Sequence, residues 1–188
     1  MRIISGDLKG KKILLPSDKL TRPLKDLTKE SIFNIINHSK LLDVKVEKAN
    51  VLDLFSGVGS FGLECLSRGA LFVTFLENYK EALTILKKNI SNMKQQNFSQ
   101  IIERDIFLEN TLKLLNSRFD IIFMDPPYKE KKLTDLLNKI IRLKLIKAKG
   151  IIIIHRHKKE EDILPNELNI IIKKTYGISN IFFGNILS

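Results

Sequence analysis

The sequence predicts an α/β protein built on a doubly wound, mostly parallel sheet of seven strands. From Val51 onward, apolar runs of strand length alternate with amphipathic helical patterns, which is typical of βα units. Residues 121–124 and 151–154 are continuously apolar, as expected for parallel strands that helices cover on both faces. In such a sheet, ligands bind at the carboxyl ends of the strands.

The first elements in chain order form a small N-terminal extension. Residues 2–16 place apolar residues on either side of a middle that contains glycine and lysines, which predicts a β-hairpin. A helix is predicted next, because the apolar positions from Leu27 to Ile36 fall largely on one side. Its predicted N-cap is Asp26 or Thr28.

The remaining elements form the predicted sheet and its helices. Strands are predicted at residues 51–55, 72–77, 101–104, 119–124 and 150–155. Helices are predicted between them near residues 60–67, 80–93, 107–115 and 132–145. The last two strands, 170–176 and 180–186, are separated by Gly177 and Ser179, and we expect them to form an antiparallel hairpin at one edge.

Composition limits the class of protein without identifying a partner. The net charge of +11 fits a nucleic-acid ligand, yet lysine outnumbers arginine 25 to 7, as an A/T-rich coding bias would also produce. Cys65 is the only cysteine, so an intrachain disulfide is excluded. The first residues lack a signal-peptide apolar region and no apolar run is long enough to span a bilayer, so we expect a soluble cytoplasmic protein.

A glycine-rich loop follows the first core strand. Gly57, Gly59 and Gly62 have the G-x-G-x-x-G spacing, which lets a ligand approach the backbone and is also found in dinucleotide sites. Asp53 precedes the loop, where its charge would repel a pyrophosphate. The same carboxylate would attract the ammonium and sulfonium groups of S-adenosylmethionine. The loop with Asp53 therefore favours a methyl donor over NAD, although such a glycine can also serve only as a turn.

Two further acids end strands of this sheet. Glu77 suits a carboxylate that accepts hydrogen bonds from both ribose hydroxyls, a role that NAD enzymes share. Asp105 could bind the adenine amine, with Ile106 or Phe107 beside the ring. Both acids could instead be helix N-caps.

The tetrapeptide Asp125-Pro126-Pro127-Tyr128 follows the buried fourth strand. Two prolines make a rigid, extended exit from the sheet, although a simple turn is the alternative. The Asp125 carboxylate and the Pro126 carbonyl could accept both N–H groups of a nucleobase amine, localise its lone pair and aim it at a methyl carbon. Tyr128 could stack on the base, which must be flipped out or single-stranded to enter the site.

These motifs and their order resemble the amino-group nucleic-acid methyltransferases. Within that class the chain most resembles the RsmD family, whose members methylate N2 of a guanine in small-subunit (16S) ribosomal RNA. The likeness covers essentially the whole chain, including the MRIISG start, Arg22-Pro23, residues 29–34 and Tyr176-Gly177.

The resemblance implies a class I methyltransferase domain with a Rossmann-like sheet over residues 41–188, preceded by an RNA-contacting extension over residues 1–40. It implies catalytic roles for Asp125, Pro126 and Tyr128. The residues implied to bind S-adenosylmethionine are Asp53, Phe55, Gly57, Gly59, Glu77, Asp105 and Ile106. RNA phosphates are expected to contact Arg2, Lys9, Lys11, Lys12 and Arg22, for which a solvated basic turn is the alternative. The expected partner is ribosomal RNA, free or in an assembling small subunit, and a monomer without membrane contact is expected.

The chain departs from the family pattern at three places. Leu24 and Leu27 stand where the family usually has Thr and Arg, near the expected RNA and cofactor face. His155-Arg156-His157 stands where the family often has Glu after the fifth strand. The His-x-His pair hints at a metal, but no third ligand has suitable spacing, and no metal site is expected.

Four other functions stay open on the residues alone. A DNA adenine-N6 methyltransferase shares the tetrapeptide but usually adds a target-recognition domain. A protein-glutamine methyltransferase generally has Asn in place of Asp125. The third is a non-enzymatic ribosome-assembly factor that retains the fold. The fourth is an NAD oxidoreductase, and Asp53 argues against this one because its charge would repel a pyrophosphate.

Overall fold

A computed structural model describes residues 1–17, 24–108 and 110–187 of the chain. Its seven-stranded sheet has the order β3-β2-β1-β4-β5-β7-β6. The strands are β1 Asn50–Leu54, β2 Phe72–Leu76, β3 Ser99–Ile102, β4 Phe119–Met124, β5 Ile146–His157, β6 Leu168–Tyr176 and β7 Ser179–Ile186. Strands β1 to β5 are parallel, and β7 lies antiparallel between β5 and β6. The predicted fold class and the antiparallel C-terminal hairpin are confirmed.

Helices cover both faces of the sheet, as the continuous apolar runs require. They are α1 Asp26–His38, α2 Ser60–Ser67, α3 Lys80–Asn92 and α4 Leu133–Arg142. Alternate strand residues such as Ile121 and Phe123 pack with α1, α2 and α3 on one face. Their neighbours, such as Ile122 and Met124, pack with α4 on the other face. No helix in the described parts of the chain is both long and apolar enough to cross a bilayer.

Two predicted features of the helices are wrong. Among the described residues of 107–115 the only helical element is a short 3-10 turn, Leu112–Leu114. The Asp105 carbonyl explains the difference, because it accepts the Leu108 N–H at 3.3 Å and the Thr111 hydroxyl at 2.6 Å, which closes a tight turn in place of the i to i+4 bond of a regular helix. The N-cap of α1 is Lys25, without a side-chain hydrogen bond, so neither Asp26 nor Thr28 caps it.

The predicted N-terminal hairpin is present, with a single bridge between Arg2 and Lys12. It is attached to α2 through its main chain. The buried Glu64 carboxylate accepts the N–H groups of Ile4 at 2.8 Å and Ser5 at 3.0 Å. Next to them, the Leu8 N–H donates to the hydroxyl oxygen of Ser67 at 3.0 Å. The hairpin is therefore fixed by backbone groups rather than by its basic side chains.

The close approach of the hairpin to α2 depends on Gly6. Its φ is +83°, and a Cβ there would lie 1.7 Å from the Ser67 carbonyl oxygen. On the other side of the hairpin, the buried Asn89 side chain binds the N–H and carbonyl of Leu14 and also the carbonyl of Val58. Asn89 thus links the hairpin to the glycine loop after β1.

Candidate active site

The candidate site lies where the order of strands reverses, between β1 and β4. Leu54 of β1 pairs with Met124 of β4, so the glycine loop and the Asp-Pro-Pro-Tyr segment leave the sheet side by side. Leu76 of β2 pairs with Leu54 on the other side, which places Glu77 at the same edge. Such a switch point is the usual ligand site of a doubly wound sheet.

The glycine loop is held in a left-handed conformation by local hydrogen bonds. Phe55, Gly57 and Gly59 have φ values of +59°, +54° and +83°. The Ser56 hydroxyl donates to the Asp53 carbonyl at 2.5 Å and accepts from the Leu76 N–H at 2.9 Å. The loop is thereby attached to both β1 and β2.

Gly62 meets a packing requirement. A Cβ at Gly62 would lie 2.3 Å from the Phe75 ring, so this glycine lets α2 pack closely on β2. The Phe55 and Phe107 rings lie 6.0 Å apart, which brings the loops after β1 and β3 together.

Asp53 is buried beneath the glycine loop. Its Oδ2 accepts the Gly62 N–H at 2.9 Å, and the residue is only 1% exposed. Burial raises the pKa of Asp53 to about 8, the charges of Asp125 and Glu77 add to the rise, and the bond from Gly62 opposes it. The free protein therefore holds Asp53 largely protonated at neutral pH, and a nearby cation would favour its ionised form.

We expect the free energy of unfolding, relative to that of the Asp53→Asn variant, to fall as pH rises from about 4 to about 8. The pKa of Asp53 is about 8 in the folded protein against 3.8 for an ordinary aspartate, so folding takes up a proton in this window. Stability then decreases by up to about 1.4 kcal/mol per pH unit. Asparagine is an uncharged isostere that keeps an acceptor for Gly62. Urea unfolding of both proteins at about pH 5, 6.5 and 8 tests this, and a constant difference would contradict it.

Glu77 bridges the glycine loop and the start of α3. Its Oε2 accepts the Gly57 N–H at 2.7 Å, and its Oε1 accepts the N–H groups of Asn78 and Tyr79. Glu77 is not the N-cap of α3, which is Tyr79 without a side-chain cap, but its three hydrogen bonds fix the carboxylate beside the loop. Each carboxylate oxygen has a second lone pair, so Oε2 can also accept a ligand hydroxyl.

Asp105 and Ile106 follow β3, which pairs with β2 on the side away from β1. Asp105 is half-buried and uses Oδ1 to accept the Phe107 N–H at 2.8 Å, while Ile106 is buried. Asp53, Glu77 and Asp105 therefore place carboxylates at the ends of three neighbouring strands. This acidic edge suits a cationic ligand with a ribose and disfavours a pyrophosphate.

The Asp-Pro-Pro-Tyr segment is supported by the neighbouring strand β5. Met124 pairs with Ile154, so His155 lies beside Asp125, and its Nδ1 is 2.8 Å from the Asp125 Oδ1. Pro126 is buried, and the half-buried Tyr128 ring meets the ring of His157 edge-on at 5.2 Å. The sequence singled out His155 and His157 only as metal candidates and missed these contacts.

Arg156 binds the main chain of the same segment through hydrogen bonds. Its guanidinium forms a bidentate ion pair with Asp162 at 2.7 and 2.9 Å. It also donates to the carbonyls of Pro127 at 3.0 Å, Tyr128 at 3.4 Å and Glu130 at 2.5 Å. Arg156 is only 2% exposed, and these five bonds match the five N–H donors that an arginine has.

The histidine pair is not arranged as a metal site. His155 bonds to Asp125, whereas the Nδ1 of His157 accepts the Lys159 N–H at 3.2 Å. Over residues 1–17, 24–108 and 110–187, no three histidine, cysteine or acidic residues are grouped so that they could hold a metal ion.

Four of the five residues expected to contact RNA lie on the surface of the hairpin. These four are exposed: Arg2, Lys9, Lys11 and Lys12. The fifth, Arg22, lies outside the described residues. The surface is not uniformly basic, because Asp26 and Glu30 line a pocket of about 180 Å³ together with Arg2 and Lys9. Leu24, expected near the RNA face, is instead buried because its apolar side chain packs in the core, whereas Leu27 is exposed.

Comparison with known proteins agrees with this architecture. The model of a family described as conserved hypothetical protein 95 matches residues 1–185. Ribosomal RNA small subunit methyltransferase D of Buchnera aphidicola subsp. Acyrthosiphon pisum is 35% identical over 92% of this chain and 86% of its own length. A solved structure from Haemophilus influenzae is 28% identical, with a TM-score of 0.74 over 100% of this chain and 99% of that one.

A more distant neighbour shares the fold alone. The ribosomal protein L11 methylase of Lactobacillus delbrueckii subsp. bulgaricus is 15% identical, with a TM-score of 0.69 over 97% of this chain and 89% of that one. The architecture is thus that of the Rossmann-like methyltransferases, and the match along nearly the whole chain shows that this protein belongs to the conserved hypothetical protein 95 family, the RsmD family.

Proposed function

We propose that the protein is an S-adenosylmethionine-dependent methyltransferase that modifies the exocyclic N2 amine of a guanine in small-subunit (16S) ribosomal RNA. The observation that carries this proposal is the position of Asp125, which follows β4 at the strand-order reversal, directly beside the glycine loop of β1. The relative from Buchnera, named for small-subunit ribosomal RNA, supports the choice of RNA over DNA or protein.

The residues of the acidic edge fit the methyl donor. The buried Asp53 is poised to ionise beside a cation, and Glu77 is fixed where a ribose hydroxyl can reach Oε2. Ile106 and Phe107 offer apolar surface near Asp105 for an adenine ring. When bound, the donor supplies an electrophilic methyl carbon on a sulfonium.

The protein activates the base amine by orientation and polarisation. An aromatic amine is a poor nucleophile because its lone pair is delocalised into the ring. The Asp125 carboxylate and the Pro126 carbonyl accept its two N–H groups, localise the lone pair and stabilise positive charge that develops on nitrogen. The methylated nitrogen then releases a proton to Asp125 or water. Tyr128, braced by His157, offers a face on which the flipped base can stack.

Transfer of labelled methyl groups tests the proposal. Purified protein is incubated with labelled S-adenosylmethionine and one acceptor: small ribosomal subunits, naked 16S RNA, DNA or protein. We expect label in RNA or subunits, and nucleoside analysis should identify N2-methylguanosine. Label only in DNA or protein, or only N6-methyladenosine in RNA, would refute the proposed substrate.

The extension over residues 1–40 is proposed as the RNA-contacting part of a cytoplasmic enzyme that acts as a monomer on RNA or on an assembling subunit. Its exposed basic residues support phosphate contact. Sedimentation of the protein alone and with subunits tests both the monomer and the particle as substrate.

We expect the Lys9→Glu, Lys12→Glu double variant to bind RNA more weakly and with a shallower salt dependence. Each lost phosphate contact reduces the slope of log K against log salt by roughly 0.7–0.9. The matched control is Lys149→Glu with Lys174→Glu, two exposed lysines of β5 and β6. Filter binding between low and physiological salt measures the slopes. Equal slopes for the two double variants would argue against phosphate contacts on the hairpin.

A further inference from the structure

The contact between His155 and Asp125 is the basis of a further inference, which rests on the proposed function. We propose that His155 is a positioning residue that donates its Nδ1–H to Asp125 Oδ1 and so orients the carboxylate to present Oδ2 to the base amine. The two side chains are largely buried, at 11% and 24% exposed, and their atoms are 2.8 Å apart.

The other ring nitrogen of His155 determines the direction of this hydrogen bond. Nε2 is buried and has no hydrogen-bond partner among the described residues. A buried N–H without an acceptor is rarer and more costly than an unused acceptor lone pair. The favoured tautomer of His155 therefore carries its proton on Nδ1, and Asp125 is then the acceptor.

In this arrangement the two oxygens of the Asp125 carboxylate have different partners. Oδ1 is occupied by His155, which holds the carboxyl plane in one orientation. Oδ2 remains to accept an N–H of the base. Because Nε2 is buried, it is not available for a hydrogen bond with the substrate. The role assigned to His155 is therefore exerted through Asp125.

The position of His155 in the sheet makes the contact rigid. His155 pairs with Ile181 of β7 within β5, an interior strand with neighbours on both sides. The next residue, Arg156, binds the backbone of the same loop, so β5 fixes both the carboxylate and the main chain that follows it. The titratable group of the neighbouring strand β1 that interacts electrostatically with Asp125 is Asp53.

Exchange of His155 tests this role. We expect His155→Leu to lower kcat for RNA methylation by roughly 10- to 100-fold, by analogy with the loss of outer-shell residues that orient metal ligands, with little change in the KM for the donor. His155→Asn places an amide N–H near the position of Nδ1 and should restore most of the loss. A defect of packing alone would not be rescued by this smaller polar residue.

The outcomes separate this inference from the proposed function. If the wild-type protein transfers no methyl to RNA, the proposed function fails. If the wild type is active and His155→Leu keeps its kcat, or His155→Asn is as impaired as leucine, the positioning role is wrong. Nitrogen NMR of the wild-type histidine gives an answer even if the leucine variant does not fold. A proton on Nδ1 supports the inference, and a proton on Nε2 alone overturns it.

Discussion

Replacing Asp125 with alanine should reduce methyl transfer by roughly 10³-fold or more. Losing one preorganised polar group at a reacting centre typically costs about 10²–10³-fold, and the base amine here also loses its orientation. Asp125 lies beyond β4, whereas the acids proposed to bind the donor are Asp53 near the end of β1 and two acids that follow β2 and β3, Glu77 and Asp105. Affinity for the donor should therefore change little. Single-turnover kinetics with labelled donor, together with calorimetric titration of the donor, measure both quantities.

Two comparisons isolate the role of the Asp125 carboxylate. Asp135→Ala is the matched control, because Asp135 is an exposed acid in the first turn of α4. It should leave the rate within a factor of about two, as expected for a surface change away from the site. Asp125→Asn keeps one acceptor but sets an N–H₂ group against the base or against His155. Activity of the alanine variant within tenfold of wild type would rule out polarisation by Asp125.

Arg156→Met is expected to destabilise the fold by about 3–5 kcal/mol and to lower activity by roughly 10²-fold. The change leaves the Asp162 carboxylate, which is 13% exposed, without its bidentate partner, and breaking a buried ion pair from one side is costly. The carbonyls of Pro127, Tyr128 and Glu130 also lose their donor. Release of this loop misplaces Asp125 and Tyr128, and a displacement of about 1 Å can produce such a loss of rate.

Urea unfolding and kcat measured on the same preparations test the Arg156 prediction. Arg156→Lys keeps the charge but cannot reproduce the planar fork, so it should recover little of either property. Arg142→Met, on the exposed end of α4, controls for the loss of an arginine side chain. A lysine variant with wild-type stability and rate would show that charge, rather than the geometry of the fork, holds the loop.

The strands of the sheet could be predicted from the sequence because a local run of apolar residues marks each buried strand. Continuous apolar runs mark strands buried on both faces, and the run at β4 was located to the residue, Phe119–Met124. The failed helix at residues 107–115 shows the limit of periodicity. There the Asp105 carbonyl binds the Leu108 N–H and the Thr111 hydroxyl, so a tight turn replaces the regular helix that the apolar pattern predicted.

The site was predictable only where its chemistry lies within one short motif. Asp53 and Asp125 could be recognised because each directly adjoins its loop. His155 and Arg156 could not be assigned roles, because their partners belong to another strand and to the loop after it. His155 lies beside Asp125 because Met124 of β4 pairs with Ile154 of β5. To predict this pairing one must know which strand is the neighbour of β4 and in which register the two pair, and the local sequence determines neither.

The attachment of the hairpin through its main chain has a consequence for evolution of the enzyme. Ile4, Ser5 and Leu8 use their N–H groups, which every residue except proline supplies. The outward lysines can therefore drift in number and spacing without weakening the docking of the hairpin. Under the proposed contact with RNA, exchange of these lysines would alter binding while the fold is kept. Gly6 cannot be exchanged in this way, because a Cβ there would lie 1.7 Å from the Ser67 carbonyl oxygen.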